Sequence, residues 1–201
     1  MKVTHAQYTG RKEDDFIVRD FRFQTGETLP ELRQHYVTLG MPKRDSADRV
    51  TNAVLLLHGT NGSGKAVLDN FGSELFGSGQ PLDSAKYYLI IPDGVGCAGS
   101  SKPSDGLRAK FPRYGYNDMV EAQKLLVSVG LGVNHLRLVL GLSMGAMHTW
   151  IWGEKFPDMM DALMPLVAMP GPIGHSLRLD DGRKSTDIIR CEKPLAPALE
   201  A

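Results

Sequence analysis

Gly141-Leu142-Ser143-Met144-Gly145 has the residue types and spacing of a serine nucleophile held on a sharp turn. Glycines two positions to either side let a strand and a helix approach closely, and the turn lifts the hydroxyl clear of both. Leu136 to Leu140 before it is an apolar, strand-like run, and the residues after it follow a helical pattern ending near Phe156-Pro157. A helix that begins just past the serine aims its positive end and unbonded N–H groups at whatever the serine attacks. Ser143 is therefore the candidate nucleophile for acyl transfer, and the backbone N–H of Met144 a candidate oxyanion donor.

A second donor loop follows another apolar run, Val54-Leu55-Leu56-Leu57-His58-Gly59-Thr60-Asn61-Gly62. A His-Gly turn leaving a central strand is suited to supply the other oxyanion N–H, and Thr60 is placed to give it, with His58 bracing the loop. The same stretch, Gly59 to Lys65, fits the G-x-x-x-x-G-K pattern of a phosphate-binding loop, so a nucleotide-binding protein is the alternative from a different class. Ala66 lacks the hydroxyl such loops offer to Mg²⁺, and that reading leaves Ser143 unexplained. Asp93, after the fourth apolar run, is expected to hold its own turn. Cys97 has no basic neighbour in sequence to make it reactive.

A serine is not nucleophilic at neutral pH without a positioned base, and none is legible. His148 lies five residues on, inside the following helix, and at about 100° per residue it turns away from the serine. His135 leads into the strand from its opposite end. Asp158 and Asp161 enter the last strand from that same far edge. His175 precedes Asp180, Asp181 and Asp187.

The elements that must position these residues alternate in type. Phe16 to Phe23 alternates apolar and polar residues as a half-buried strand, Gly26 to Pro30 is a turn, and Leu32 to Leu39 is a second strand. Ala53 to His58, Tyr87 to Ile91 and Leu136 to Leu140 are almost continuously apolar, as parallel strands covered on both faces are. Asn117 is expected to cap a helix that places Met119, Ala122, Leu126 and Val129 on one face and stops at Gly130. Ala162 to Ala168 is the last strand. Trp150 and Trp152, two residues apart on a helix, cannot share a buried face. The pattern predicts a doubly wound, mostly parallel α/β sheet. From His175 onward no period is visible, so the expected organisation is a core over residues 1–174 and a poorly ordered tail over 175–201.

Composition fits one globular domain: 201 residues, 42% hydrophobic, with 23 basic and 23 acidic residues that cancel. That balance gives no reason to expect nucleic acid or an anionic membrane as partner. No run approaches the ~18 apolar residues of a membrane span, and the first residues lack a secretory pattern, so a cytoplasmic protein is expected. Cys97 and Cys191 make neither a disulfide framework nor a zinc spacing, and neither a metal nor a cofactor is expected.

Gly26-Glu-Thr-Leu-Pro-Glu-Leu-Arg33, Phe111-Pro-Arg-Tyr-Gly-Tyr-Asn-Asp-Met-Val120 with Ala122-Gln123, Gly141 to Met147, and Phe156 to Pro165 together resemble the homoserine O-acetyltransferase-like branch of the α/β-hydrolases. The resemblance covers roughly residues 16–174. It implies an α/β-hydrolase fold and acyl transfer through a serine ester, with Ser143 as nucleophile and Met144 and Thr60 as oxyanion donors. Gly59-Thr60 stands where the acetyltransferases usually have Ala-Leu, and Asp93 to Pro103 is more like the hydrolase members, so hydrolysis of an ester or thioester ranks above transfer to homoserine. In this fold the acid and then the histidine follow the serine in chain order. The resemblance further implies a cap and two more strands beyond Gly174. A sheet incomplete at its C-terminus would expose a strand edge, predicting marginal stability, a homo-oligomer or a partner chain, with a non-catalytic fragment as a further alternative to an enzyme.

Overall fold

The computed structural model describes residues 8–168. Strands β1 (Lys12–Arg22), β2 (Thr28–Leu39), β3 (Ala53–Leu57), β4 (Tyr88–Pro92), β5 (Leu138–Leu142) and β6 (Leu163–Leu166) form one sheet in the order β1-β2-β4-β3-β5-β6. The β1-β2 and β2-β4 pairs are antiparallel, and β4-β3, β3-β5 and β5-β6 are parallel. Every residue of β3 and β4 is buried, which accounts for their unbroken apolar sequence. The doubly wound, mostly parallel sheet expected from the sequence is the one observed.

Among the described residues three α-helices cover it: α1 (Gly64–Leu75), α2 (Tyr116–Leu125) and α3 (Met144–Lys155). A core built on Leu55, Leu57, Ile90, Val139 and fully buried Trp152 lies on the α3 side. Val54, Leu56, Leu68, Leu89 and Ile91 form another against α1. Trp150 is 36% exposed, so the two tryptophans do separate.

Four local expectations change. The Gly26–Pro30 turn is shorter, because β2 already begins at Thr28. Pro30 is tolerated there since only residues 36–39 of β2 pair with β4, leaving its other edge free. Asn117 is not the cap of α2. The helix starts at Tyr116, and the Asp118 carboxylate reaches back to accept the Gly115 N–H at 2.9 Å while its other oxygen accepts that of Gln24 at 2.8 Å. Val129 is 68% exposed rather than buried, because a π-type turn over Leu126–Gly130 rotates the end of the helix and buries Val127 instead. Finally, Gly59–Lys65 runs into α1, a helix the glycines concealed; Ser63 caps it by accepting the Ala66 N–H at 3.0 Å. The core boundary at residue 174 and the tail over 175–201 lie outside the described residues.

Candidate active site

Ser143 stands between β5 and α3 with φ 53° and ψ −112°, a backbone conformation that a side chain rarely adopts and that costs about 1–3 kcal/mol. Its N–H still donates to Leu166 O at 2.9 Å, completing the β5-β6 ladder, and its carbonyl accepts from Ala146 N at 2.9 Å, opening the helix. Both flanking glycines are required sterically. A Cβ on Gly141 would collide with the Gly145 carbonyl, and one on Gly145 with the Leu57 carbonyl. The side chain of Ser143 is exposed at the C-terminal edge of the parallel strands, while Met144 and Gly145 are buried.

The β3 loop comes directly alongside. A Cβ on Gly59 would lie 3.5 Å from the Ser143 Cβ. The loop then turns tightly, Gly62 N donating to Gly59 O at 3.0 Å with Asn61 at φ 58°. Thr60 sits at the exposed tip. Among the described residues neither the Thr60 nor the Met144 N–H has an acceptor. Donors left open at the start of a helix and the tip of a loop are what an incoming oxyanion needs.

His58 and Asp93 hold this loop in place. His58 Nδ1 donates to Gly59 O at 2.8 Å, which leaves Nε2 to accept the Gly94 N–H at 2.9 Å. Burial holds its pKa below the usual histidine value, with the Gly59 bond and the Asp93 charge opposing, so the ring stays neutral and both nitrogens are engaged. The buried Asp93 carboxylate accepts from Gly64 N at 2.6 Å and Gly99 N at 2.8 Å. The first-turn amide that a phosphate would need is thus taken by a carboxylate, Ser63 is spent on the cap, and Lys65 is paired with Asp69. The loop geometry argues against the nucleotide-binding alternative.

The described histidines do not supply a base. His148 is fully enclosed: its Nδ1 lies 3.1 Å from Gln123 Nε2, and Gln123 Oε1 accepts the Trp152 Nε1–H at 3.0 Å. Burial, with a smaller effect of His58, lowers its pKa to about 3. With Nδ1 accepting from Gln123, its proton sits on Nε2, which has no hydrogen-bond partner among the described residues. His135 is at the opposite end of β5, bonded to Asp161 at 2.8 Å, and His35 is bonded to Asp15 at 2.8 Å on the outer hairpin. Asp161 is thereby placed at the far edge, as its position before the strand implied. His175, Asp180, Asp181 and Asp187 lie outside the described residues. Cys97 is 2% exposed and is not a free thiol. Among the described residues no His, Cys, Asp and Glu cluster could hold a metal ion. Gln123, quoted in the sequence only as part of the resemblance, is a buried amide that joins His148 to Trp152, a role its helical spacing alone does not announce.

A mostly parallel sheet with a strained serine turn and two open amides at the strands' C-terminal edge defines a doubly wound α/β protein with Ser143 and Thr60 on that edge. A sequence profile of the alpha/beta hydrolase fold matches residues 52–185, and the chain belongs to that family. Its similarity within the family is to the homoserine O-acetyltransferase-like branch. It is 33% identical over 153 residues to a probable acyltransferase of Methanothermobacter thermautotrophicus, covering 76% of this chain and 47% of that protein. It is 34% identical over 154 residues to the homoserine O-acetyltransferase of Chlorobaculum parvum, covering 73% and 41%. Among solved structures the acetyl esterase MekB superimposes with a TM-score of 0.73 at 26% identity, covering 83% of this chain and 47% of that one. The chain spans about half the length of the curated relatives it matches. No helix among the described residues is long and apolar enough to cross a membrane.

Proposed function

We propose that this chain carries the nucleophile half of a serine acyl-transfer site, acting on a small ester or thioester. Ser143 Oγ attacks the acyl carbonyl, forming a tetrahedral species whose oxyanion accepts from the N–H groups of Thr60 and Met144. Collapse expels the alcohol or thiol and leaves an ester on Ser143, which water then cleaves to acid and free serine. The observation that carries this reading is the Ser143 backbone itself: strain at an exposed serine, between two glycines that cannot be larger, beside a loop with an open amide. The proton of Ser143 must pass to a base outside the described residues, since the four described histidines are engaged or remote. No metal or cofactor enters these steps.

A second reading has support of its own. Several relatives are homoserine O-acetyltransferases, in which case a substrate hydroxyl rather than water resolves the acyl-enzyme. The two are separated by exposing the chain to p-nitrophenyl acetate, trapping the adduct with acid, and weighing the Ser143 peptide with and without homoserine. An acetyl adduct that decays equally fast in both supports hydrolysis. Decay accelerated by homoserine, with O-acetylhomoserine formed, supports transfer. Absence of any adduct on the folded chain would count against both.

A further inference from the structure

The turn that carries Thr60 has a defined type. Gly62 N donates to Gly59 O at 3.0 Å, and Asn61 has φ 58° while Thr60 lies on the negative side. That is a type II turn, which sets its first central residue, Thr60, at φ of about −60°. At that angle the amide hydrogen and Cβ lie on the same side of the N–Cα bond. Either gauche χ1 well then brings a substituent on Cβ alongside the amide hydrogen. A threonine held this way can present its N–H and its O–H to one acceptor.

The hydroxyls around the serine turn and its loops divide into spent and unspent. Ser63 accepts from Ala66 N, Ser101 from Arg33 N and Ser100 from His35 N, while Ser100 also donates to Asp93 O and Thr149 donates to Gly145 O. Thr60 Oγ1, exposed at the loop tip, has no partner among the described residues. Its place is nevertheless fixed. Gly59 O takes both the Gly62 N–H and the His58 Nδ1–H, and Gly59 packs directly on the Ser143 side chain. We propose that the Thr60 hydroxyl is a third oxyanion donor, joining the N–H groups of Thr60 and Met144 on the oxygen of the Ser143 tetrahedral species. The inference rests on acyl transfer at Ser143 and deepens it. As the bond from Ser143 Oγ to the acyl carbon forms, the carbonyl π pair moves onto that oxygen; the Thr60 O–H turns toward it and keeps its proton. A hydrogen bond to a charged acceptor is about twice as strong as a neutral one, so the hydroxyl favours the tetrahedral species over the planar ester.

The test titrates the folded chain with ethylboronic acid, whose boron bonds the Ser143 oxygen, releases the serine proton to solvent and becomes a tetrahedral anion. Boron NMR reads the adduct and its Kd. Expected are a tetrahedral signal absent from Ser143→Ala, a Kd raised about 10- to 100-fold by Thr60→Val, and a Kd restored to within about threefold of the parent by Thr60→Ser. Valine has the shape of threonine and keeps the N–H, and the position is exposed, so neither change threatens folding. Thr60→Val binding as tightly as the parent chain would overturn the third donor and leave acyl transfer standing, as would Thr60→Ser binding as weakly as Thr60→Val. A tetrahedral signal missing from the parent chain, or one that persists in Ser143→Ala, would sink both.

Discussion

At the N-terminal end of β5, Asp161 accepts from His135 Nε2 at 2.8 Å, from Arg49 Nη2 at 3.0 Å and from Arg137 Nη1 at 3.0 Å, and its own N–H donates to Leu136 O at 3.0 Å. At the C-terminal end of the same strand, Ser143 holds a strained backbone and the amides of Met144 and Thr60 have no acceptor among the described residues. One end is saturated and the other is left open. The contrast is between polar groups satisfied within the protein and donors that, on the proposed function, serve an incoming oxyanion.

The largest expected effect is acid sensitivity behind the open end. His148 is neutral in the fold, with a pKa lowered from 6.5 to about 3, so the unfolded chain binds a proton that the folded one refuses. Its depressed pKa leaves stability complete above pH 6.5 and erodes it as pH falls from 6.5 toward 3, by up to about 5 kcal/mol on an order-of-magnitude count. Urea melts across that range should show the erosion, and His148→Gln should flatten it. Next in size is Gly145→Ala, whose Cβ meets the Leu57 carbonyl; a loss of roughly 3 kcal/mol is expected from the same melts. Ser143→Gly should act in the other direction. Removing the side chain at φ 53° is expected to stabilise the chain by about 1 kcal/mol while abolishing any acyl adduct.

The saturated end predicts the smallest change. Asp161 is about one-third exposed, and its partners shield rather than bury it. Its pKa is lowered, first by the His135 hydrogen bond and then by Arg137, so its stabilisation is present above the unfolded carboxylate pKa and is lost as pH falls through the folded value. Asp161→Asn should cost about 1 kcal/mol or less near neutral pH, with high salt erasing most of the difference in thermal melts. A larger cost would mean that the far edge carries more than surface ion pairs do.

The two ends also differed in how much could be read from sequence. Ser143, its glycines and the apolar run of β5 were legible because a tight turn admits few residue types, and so were the unbroken apolar runs of β3 and β4. The brace around the loop was only half visible. His58 follows from its place after β3, but that Asp93 reaches Gly64 is a contact across 29 residues that no local spacing announces. Helix α1 was hidden by Gly64 and Gly72, which weaken a helical pattern yet are needed where Ile91 O and Tyr8 crowd the backbone. Ser63 and the spacing of Val67, Phe71 and Leu75 were the signals that could have revealed it. The exposure of Val129 follows from a π-type turn, which inserts a rotation that a fixed 100° count cannot foresee.

The proposed acylation of Ser143 is tested most directly by a fluorophosphonate probe followed by mass spectrometry of the adduct. A phosphonylated Ser143 peptide that disappears in Ser143→Ala is expected. A folded chain whose Ser143 stays unmodified, or a label on another residue that survives Ser143→Ala, would contradict the proposal.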